Sequence, residues 1–259
     1  MLYTIAYIFL LFFIYSIIGY IFEVTLVTIC EKKFTPSRGF LIGPYIPIYG
    51  VGVVLITTLL NKYKNDILVL FVMSTVLCTI LEYLTSLIME KVFKLRWWDY
   101  SHMSFNLNGR VCLLNSLIFG VGGVVIMKLL HPLIEKVLDY PTNWVIILLA
   151  IIFGIIILTD FIISVIAMFN IKIEIKKFTK KDATEVVKQE IKEFLEKHSF
   201  LNDQIDRLLS SFPTAISRIE FNLPDYKDLI KHIKKEIKEA KKELKKKKKE
   251  LTDKLTKHN

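Results

Sequence analysis

The sequence predicts an all-α integral membrane protein with about five transmembrane helices, a parallel internal repeat of two-helix units and a cytoplasmic helical tail. Three observations predict it: membrane-length apolar runs, a separation of apolar from charged residues along the chain, and two segments that repeat one pattern. Hydrophobic residues make up 53% of the chain and charged residues 23%. Residues 1–170, the predicted transmembrane domain, carry a net charge of +2, and residues 171–259, the predicted tail, carry +8.

Five apolar runs are long enough to cross about 30 Å of hydrocarbon, which takes about 20 helical residues. They cover residues 2–29, 40–60, 67–89, 111–130 and 144–169. The first run lacks a basic N-terminal region and contains Glu23, so a retained helix is predicted rather than a signal peptide. Connecting segments one and three carry seven Lys and Arg residues against four in segments two and four, which predicts an external N-terminus and a cytoplasmic C-terminus.

Two parts of the chain repeat one pattern of charged and small residues. Residues 23–34, EVTLVTICEKKF, align without gaps on residues 82–93, EYLTSLIMEKVF, and IYGVG at 48–52 matches IFGVG at 118–122. Because each copy covers two helices, both copies enter the membrane from the same side. This predicts a parallel repeat with units at about 10–60 and 69–130. Chance similarity between apolar segments is the alternative.

Glu23, Glu82 and Asp160 each interrupt an apolar run. A charged group near the bilayer centre costs at least about 2.5 to 3.5 kcal/mol, so each carboxyl needs a compensating environment. One interpretation is that they are packing carboxyls, neutral or paired with Arg38 and Arg110. The other is that they line a substrate or ion cavity near the cytoplasmic side, since their helix faces carry small and polar residues. The full set of cavity candidates is Glu23, Arg38, Glu82, Asp99, Asn106, Asn108, Arg110, Asn115 and Asp160.

The second apolar run begins with PSRGFLIGPYIPIYG at residues 36–50. Each proline removes a backbone donor and clashes one turn back, so a broken or kinked helix is expected here. The candidate hinge residues are Gly43, Pro44, Pro47, Gly50 and Gly120. Irregular backbone inside a membrane is tolerated only against protein or a water-filled cavity. A half-helix N-terminus beside Arg38 could attract an anionic group; alternatively, the kink only shapes the bundle.

The connection at residues 94–110 combines Trp97 and Trp98 with several hydrogen-bonding side chains. Adjacent tryptophans between spans mark the membrane interface, but anchoring alone does not require the polar residues beside them. The segment is therefore predicted to be re-entrant, or to lie in the membrane plane against the cavity. The three cysteines have neither CxxC spacing nor histidine partners, which indicates packing roles and no metal or cofactor site.

Three stretches, SRGFLIGPYIPIYG, LEYLTSLIMEKVFKLRWWDYS and FNLNGRVCLLNSLIFG, resemble the bacterial family named putative ABC-transporter type IV, the CmpB-like permeases. The resemblance covers about residues 14–127, and RLLSSFPTAIS in the tail is also similar to family sequence. It implies a permease in the bacterial plasma membrane, without a substrate or catalytic residues. The chain has no GxxxxGK[ST] loop for ATP phosphates, so ATP-driven transport would need a separate ATP-binding subunit.

The tail has apolar residues at helical spacing from Asp182 and again from Pro224, which predicts a helical hairpin or short coiled coil. Lysines dominate residues 241–249, and each basic residue near an anionic leaflet contributes about 1 kcal/mol. The tail is therefore predicted to contact anionic lipid or a partner helix. No motif points to specific nucleic acid binding.

The leading functional hypothesis is a permease or transporter component with a polar intramembrane cavity and an unspecified substrate. The alternative is a non-transporting membrane scaffold or lipid-dependent regulator whose carboxyls only hold the bundle together. An enzyme is not predicted, because the sequence has no recognisable nucleophile and base pair. The expected partners are the lipid bilayer, an ATP-binding subunit and, in a homo-oligomer, further copies of the chain.

Overall fold

A computed structural model of the chain describes residues 1–32, 34, 39–93, 96–178 and 207. Six α-helices, a short 3-10 turn, a π-helical turn and two very short strands make up these residues. In chain order they are α1 (Leu2–Glu31), α2 (Pro47–Leu59), the 3-10 turn (Asn61–Tyr63), α3 (Ile67–Phe93), β1 (Asn106–Leu107), β2 (Val111–Cys112), α4 (Leu113–Val125), the π turn (Ile126–Leu130), α5 (His131–Asp139) and α6 (Asn143–Phe178). The predictions for the tail beyond residue 178 lie outside the described residues, apart from residue 207.

Among the residues that the structure describes, four helical stretches are long and apolar enough to cross a membrane. They are Leu2–Ile29, Ile67–Phe93, Leu113–Asp139, which joins α4, the π turn and α5, and Asn143–Phe169. These confirm four of the five predicted spans. Large apolar side chains point outward from them; Leu68 is 71% exposed and Ile155 is 61% exposed. Such surfaces suit contact with lipid, and the chain is a multi-pass membrane protein.

The second predicted span is only partly helical. Residues 39–46 are irregular, and α2 covers 13 residues, or about 20 Å at helical rise. The start of the segment is irregular, as expected from the prolines, and only α2 within the predicted span at residues 40–60 is helical. Pro47 opens α2 at a position where the missing backbone donor costs nothing. Just before it, Ile46 donates its backbone N–H to the carbonyl of Ser16 in α1, at 2.9 Å.

Despite its short helix, this stretch runs beside nearly the whole of α3. The ring centroid of Phe40 lies 5.6 Å from that of Phe93, the last residue of α3. At the other end, Ile56 and Leu60 pack in one buried cluster with Leu70, near the start of α3. Residues 40–60 therefore cover the length of a membrane-spanning helix, with the irregular segment at one end and α2 at the other.

The α1–α2 contact is built around Gly50. A Cβ added to Gly50 would overlap the carbonyl oxygen of Phe12 and the hydroxyl of Ser16, both in α1. The Ser16 hydroxyl donates to the same Phe12 carbonyl at 2.7 Å. A residue without a side chain lets the two backbones approach closely, as is common between membrane helices.

The α3–α4 contact has the same construction around Gly120. A Cβ added to Gly120 would overlap the hydroxyl of Thr75 and lie 2.8 Å from the ring of Phe71, both in α3. The Thr75 hydroxyl donates to the Phe71 carbonyl at 2.8 Å. Both α3 residues lie 59 positions after their α1 counterparts, the offset that also separates the two aligned glutamates. Thus Gly50 and Gly120, predicted as hinge candidates, lie at tight helix contacts.

Alanine at Gly50 or Gly120 is expected to lower the free energy of unfolding by about 1 to 3 kcal/mol, because the added methyl overpacks the contact. Gly50 should be the more sensitive site, since its clash involves a backbone oxygen that cannot rotate away. Gly122→Ala is the matched control, because a Cβ there meets nothing within 4 Å. Denaturation in mixed micelles measures the free energy of unfolding of all three variants. A loss at Gly122 as large as at Gly50 would contradict the packing argument.

A hairpin connects α3 to α4. Its strands pair in antiparallel fashion, with Leu107 opposite Val111, and Asn108 and Gly109 in its turn adopt φ values of 54° and 65°. The tryptophan at its base, Trp97, is 3% exposed. The hairpin folds back along α3, where Tyr100 contacts Glu82 and Asn108 contacts Tyr83. That it is re-entrant or lies in the membrane plane stays a prediction.

Candidate functional site

Two carboxyl groups on different long helices each accept a hydrogen bond from a tyrosine. Glu23 of α1 is half-buried and accepts from the Tyr49 hydroxyl of α2 at 2.7 Å. Glu82 of α3 is 5% exposed, and its Oε1 accepts from the Tyr100 hydroxyl of the hairpin at 3.2 Å. We call these four residues the polar cluster.

The two halves of the polar cluster act on each other electrostatically. Burial raises the pKa of the Tyr100 phenol, and the Glu82 and Glu23 carboxylates both raise it further. Both carboxylates are therefore close enough to influence the same phenol. On the opposite side, the ring of Tyr49 meets that of Phe119 edge to face, with centroids 6.5 Å apart. These two aromatic residues occupy the same position in IYGVG and IFGVG.

The second oxygen of Glu82 is the chemically unsatisfied atom of the polar cluster. Oε2 is buried and has no hydrogen-bond partner among the residues that the structure describes. A buried carboxylate with an open oxygen is costly, and in proteins it is neutralised by a proton or by a bound positive group. Either one would satisfy the open oxygen of Glu82.

The arginines of the hairpin pair with a different glutamate. Arg110 Nη1 lies 2.7 Å from Glu90 Oε2, and Arg96 Nε lies 3.1 Å from the same oxygen. One interpretation pairs the intramembrane carboxyls with Arg38 and Arg110, but Arg110 instead pairs with Glu90. Glu90 lies eight residues beyond Glu82, about 12 Å at helical rise, and the base of the hairpin holds both guanidinium groups at that level. The other predicted partner, Arg38, lies outside the described residues.

Three further candidates on the hairpin make bonds that shape it. Asp99 accepts from the backbone N–H and the hydroxyl of Ser101, at 3.0 and 2.6 Å. Asn106 accepts from the backbone N–H of Gly109 at 3.0 Å, and Asn108 donates to the Tyr83 hydroxyl at 3.0 Å. Asn106 and Asn108 are exposed. These residues hold the hairpin that delivers Tyr100, rather than joining the polar cluster.

Asp160 of α6 accepts hydrogen bonds from the irregular segment before α2. Its Oδ1 accepts from the backbone N–H of Ile42 at 2.8 Å and from the Ser164 hydroxyl at 3.1 Å. Its Oδ2 accepts from the backbone N–H of Gly43 at 2.8 Å and from the Tyr45 hydroxyl at 2.5 Å. The backbone N–H groups of Ile42 and Gly43 have no helical carbonyl to bind, because the segment is irregular. Asp160 is 7% exposed, so a single buried carboxylate accepts from both.

Gly43 and Pro44, the other hinge candidates, lie within the irregular segment. A Cβ added to Gly43 would overlap the ring of Tyr45, so this position needs a glycine for packing. Asn115 is half-buried on the first turn of α4, and its side chain makes no hydrogen bond within the described part of the chain. The predicted set is therefore divided among the polar cluster, the hairpin and the irregular segment.

Sequence reasoning missed the tyrosines that complete these sites. Tyr49 was visible as the second residue of a repeated glycine motif, and its partner Glu23 as an intramembrane carboxyl. Tyr100 had no comparable signal, because it reaches Glu82 only through the fold of the hairpin. Tyr45 likewise meets Asp160 from 115 residues away in the chain.

Comparison with known proteins identifies the family of this chain. No curated protein and no solved structure matches the sequence. The family described as "Putative ABC-transporter type IV" matches residues 10–165. That range contains the polar cluster, the hairpin and Asp160, and it covers more than half of the chain. The chain belongs to the ABC-transporter type IV family of this description.

Proposed function

We propose that the chain is the permease-like, membrane-embedded component of a transporter and that the polar cluster is its ligand site. Family membership and four membrane-length helices support a transporter component. The observation that carries the ligand site is the open Oε2 of Glu82, a buried carboxyl that acts on the same phenol as a second carboxyl from another helix. Ionisable groups held inside a membrane protein in this way are characteristic of substrate and ion pathways.

The charge of the site favours a positively charged ligand group. Within the described residues the polar cluster contains two carboxyls and two phenols, while Arg96 and Arg110 are engaged by Glu90. An anionic group at the broken start of α2 is disfavoured, because the free backbone donors there already bind Asp160. A cationic group would complete the polar cluster near the cytoplasmic side of the bundle.

The parallel repeat fits this site. Each proposed copy contributes one carboxyl, Glu23 or Glu82, and one glycine contact, at Gly50 or Gly120. The offset of 59 residues relates the two carboxyls and also the two sets of residues that the glycines contact. A rotation about an axis roughly normal to the membrane would then bring the two carboxyls to one depth.

For the topology we propose an external N-terminus and a cytoplasmic C-terminus in the bacterial plasma membrane, with residues 171–259 as a cytoplasmic tail. Five crossings are supported by the run of residues 40–60 alongside α3. The rings of Phe13 and Phe153 stack 4.4 Å apart where α1 and α6 pack together.

ATP hydrolysis would come from a separate subunit, since this chain has no loop for ATP phosphates and no catalytic constellation.

The test is the charge of the ligand that the purified protein retains. Native mass spectrometry of the protein in nanodiscs should detect a bound cationic species, and Glu82→Gln should lose it. Asp66→Asn, which removes an exposed carboxylate at the start of the same helix, away from the polar cluster and the hairpin, should keep it. An anionic ligand retained equally by all three proteins would refute the proposed site.

The second candidate function is a non-transporting scaffold or lipid-dependent regulator. It is favoured by Asp160 and Glu90, which show that this bundle does use carboxyl groups purely to hold backbone and hairpin in place. In that case Glu82→Gln would change neither the bound species nor the behaviour of the protein.

A further inference from the structure

One residue of the tail reaches the irregular segment before α2. The guanidinium of Arg207 donates from Nη1 to the carbonyl of Gly39 at 3.0 Å and from Nη2 to the carbonyl of Phe40 at 2.9 Å. Arg207 belongs to the same compact unit as the membrane helices. It is the first residue of RLLSSFPTAIS, the tail stretch that resembles family sequence.

The irregular segment is therefore held from two sides. Its carbonyls at Gly39 and Phe40 face Arg207, and its N–H groups at Ile42 and Gly43 face Asp160. Backbone without helical hydrogen bonds must find partners elsewhere, and here one half-buried cation and one buried anion supply them.

The charges of the two partners support each other. Burial lowers the pKa of the Arg207 guanidinium, and the Asp160 carboxylate acts in the opposite direction. The hydroxyl of Tyr20 in α1 also acts on the guanidinium. Arg207 thus lies at a junction of α1, α6 and the irregular segment, and a guanidinium keeps its charge in such a place.

The backbone presents its acceptors in a form suited to a guanidinium. Gly39 has a φ of 99°, a conformation that residues with a side chain rarely adopt, and it precedes Phe40 directly. Two consecutive carbonyls accept from two nitrogens of one planar fork. A lysine ammonium is a single point of charge and cannot reproduce this double contact.

We propose that residues 39–43 and Asp160 form a docking surface for a guanidinium, and that the chain's own tail occupies it through Arg207 as a reversible latch. The irregular segment continues through Ile46 into α2, whose Tyr49 donates to Glu23. Undocking of Arg207 would free the segment that positions Tyr49. The tail would thereby regulate the polar cluster from the cytoplasmic side without contributing a residue to it. The latch stands whether or not the polar cluster binds a ligand.

The latch is tested by amide hydrogen exchange of the full-length protein in nanodiscs. In Arg207→Gln, peptides covering residues 39–46 should exchange roughly tenfold faster than in the wild type, because the side-chain amide can replace at most one of the two charge-assisted hydrogen bonds. Arg207→Lys should give a smaller increase, because the charge stays and the fork is lost. Arg218→Gln removes a different arginine of the tail and should leave this exchange unchanged.

Peptides of α1 and α3 report whether the bundle remains folded and should be protected alike in all four proteins. Unchanged exchange of residues 39–46 in Arg207→Gln, or an equal increase in Arg218→Gln, would overturn the latch. A bundle that fails to fold without Arg207 would overturn it as well, since a reversible latch must leave the bundle intact when released.

Discussion

Asp160→Ala is expected to lower the free energy of unfolding by about 3 to 5 kcal/mol, the largest stability loss we expect from one side chain of this protein. The substitution removes the acceptor of two backbone N–H groups and of the Tyr45 and Ser164 hydroxyls. In water these donors would be solvated, but next to hydrocarbon each one left without a partner is costly. The charge of Arg207 would also lose its neighbouring carboxylate.

Asp160→Asn should lower the free energy of unfolding nearly as much, although the asparagine side chain has almost the same shape as aspartate. Both carboxylate oxygens accept hydrogen bonds, so an amide nitrogen in either position would face donors. Asp66→Ala is the control: Asp66 caps the start of α3 through one bond to the Val69 N–H, at 3.0 Å on an exposed surface. That loss should be about 1 kcal/mol. Denaturation in mixed micelles compares the three variants, and an Asp160→Asn protein as stable as the wild type would disprove this role.

The long helices could be predicted because their cause is local. A run of about 20 apolar residues has one stable arrangement in hydrocarbon, so length and composition sufficed for four spans. The broken start of α2 was predictable for the same reason, since a proline such as Pro47 acts on its own turn. How the freed backbone groups are satisfied was not predictable, because their partners, Asp160 and Arg207, lie more than 100 residues away.

The pairing of charges was only half predictable. Counting residues along a helix gives the depth of Glu82 and Glu90, but not which of them meets Arg110. That choice depends on the hairpin, whose turn rests on the positive φ values of Asn108 and Gly109. Glu90 was visible as the second glutamate of its copy of the repeat, where it aligns with Glu31 of the other copy. The structure makes it the partner of two arginines.

Buried carboxyls look alike in a sequence and differ in their partners. Asp160 has both oxygens engaged, while Glu82 has one engaged and one open within the described part of the chain. The number of partners separates a structural carboxyl from one that can take a ligand, and it follows from side-chain contacts between distant segments. Replacement of the carboxyl by an amide should therefore lower the stability of the fold at Asp160. At Glu82 it should remove ligand retention and leave the fold intact.

Glu82→Gln is expected to abolish ligand retention and transport while changing the free energy of unfolding by less than about 1 kcal/mol. The amide oxygen can keep the bond from the Tyr100 hydroxyl, and the amide nitrogen can occupy the open position of Oε2 without meeting a donor. Glu23→Gln should behave alike, because its oxygen can still accept from Tyr49. Only the negative charge is lost, and with it the attraction for a positive group.

Stability and transport must be measured on the same preparations to separate the three roles open to these carboxyls. If Glu82 instead paired with a buried cation, its amide would strand that cation and cost about 3 to 5 kcal/mol. If it were a neutral packing group, its amide would change neither stability nor transport. The proposed role requires loss of transport in both Glu23→Gln and Glu82→Gln with the fold retained, since either amide removes one of the two charges that a cation would contact. Equal loss of fold and transport in both variants would count decisively against it.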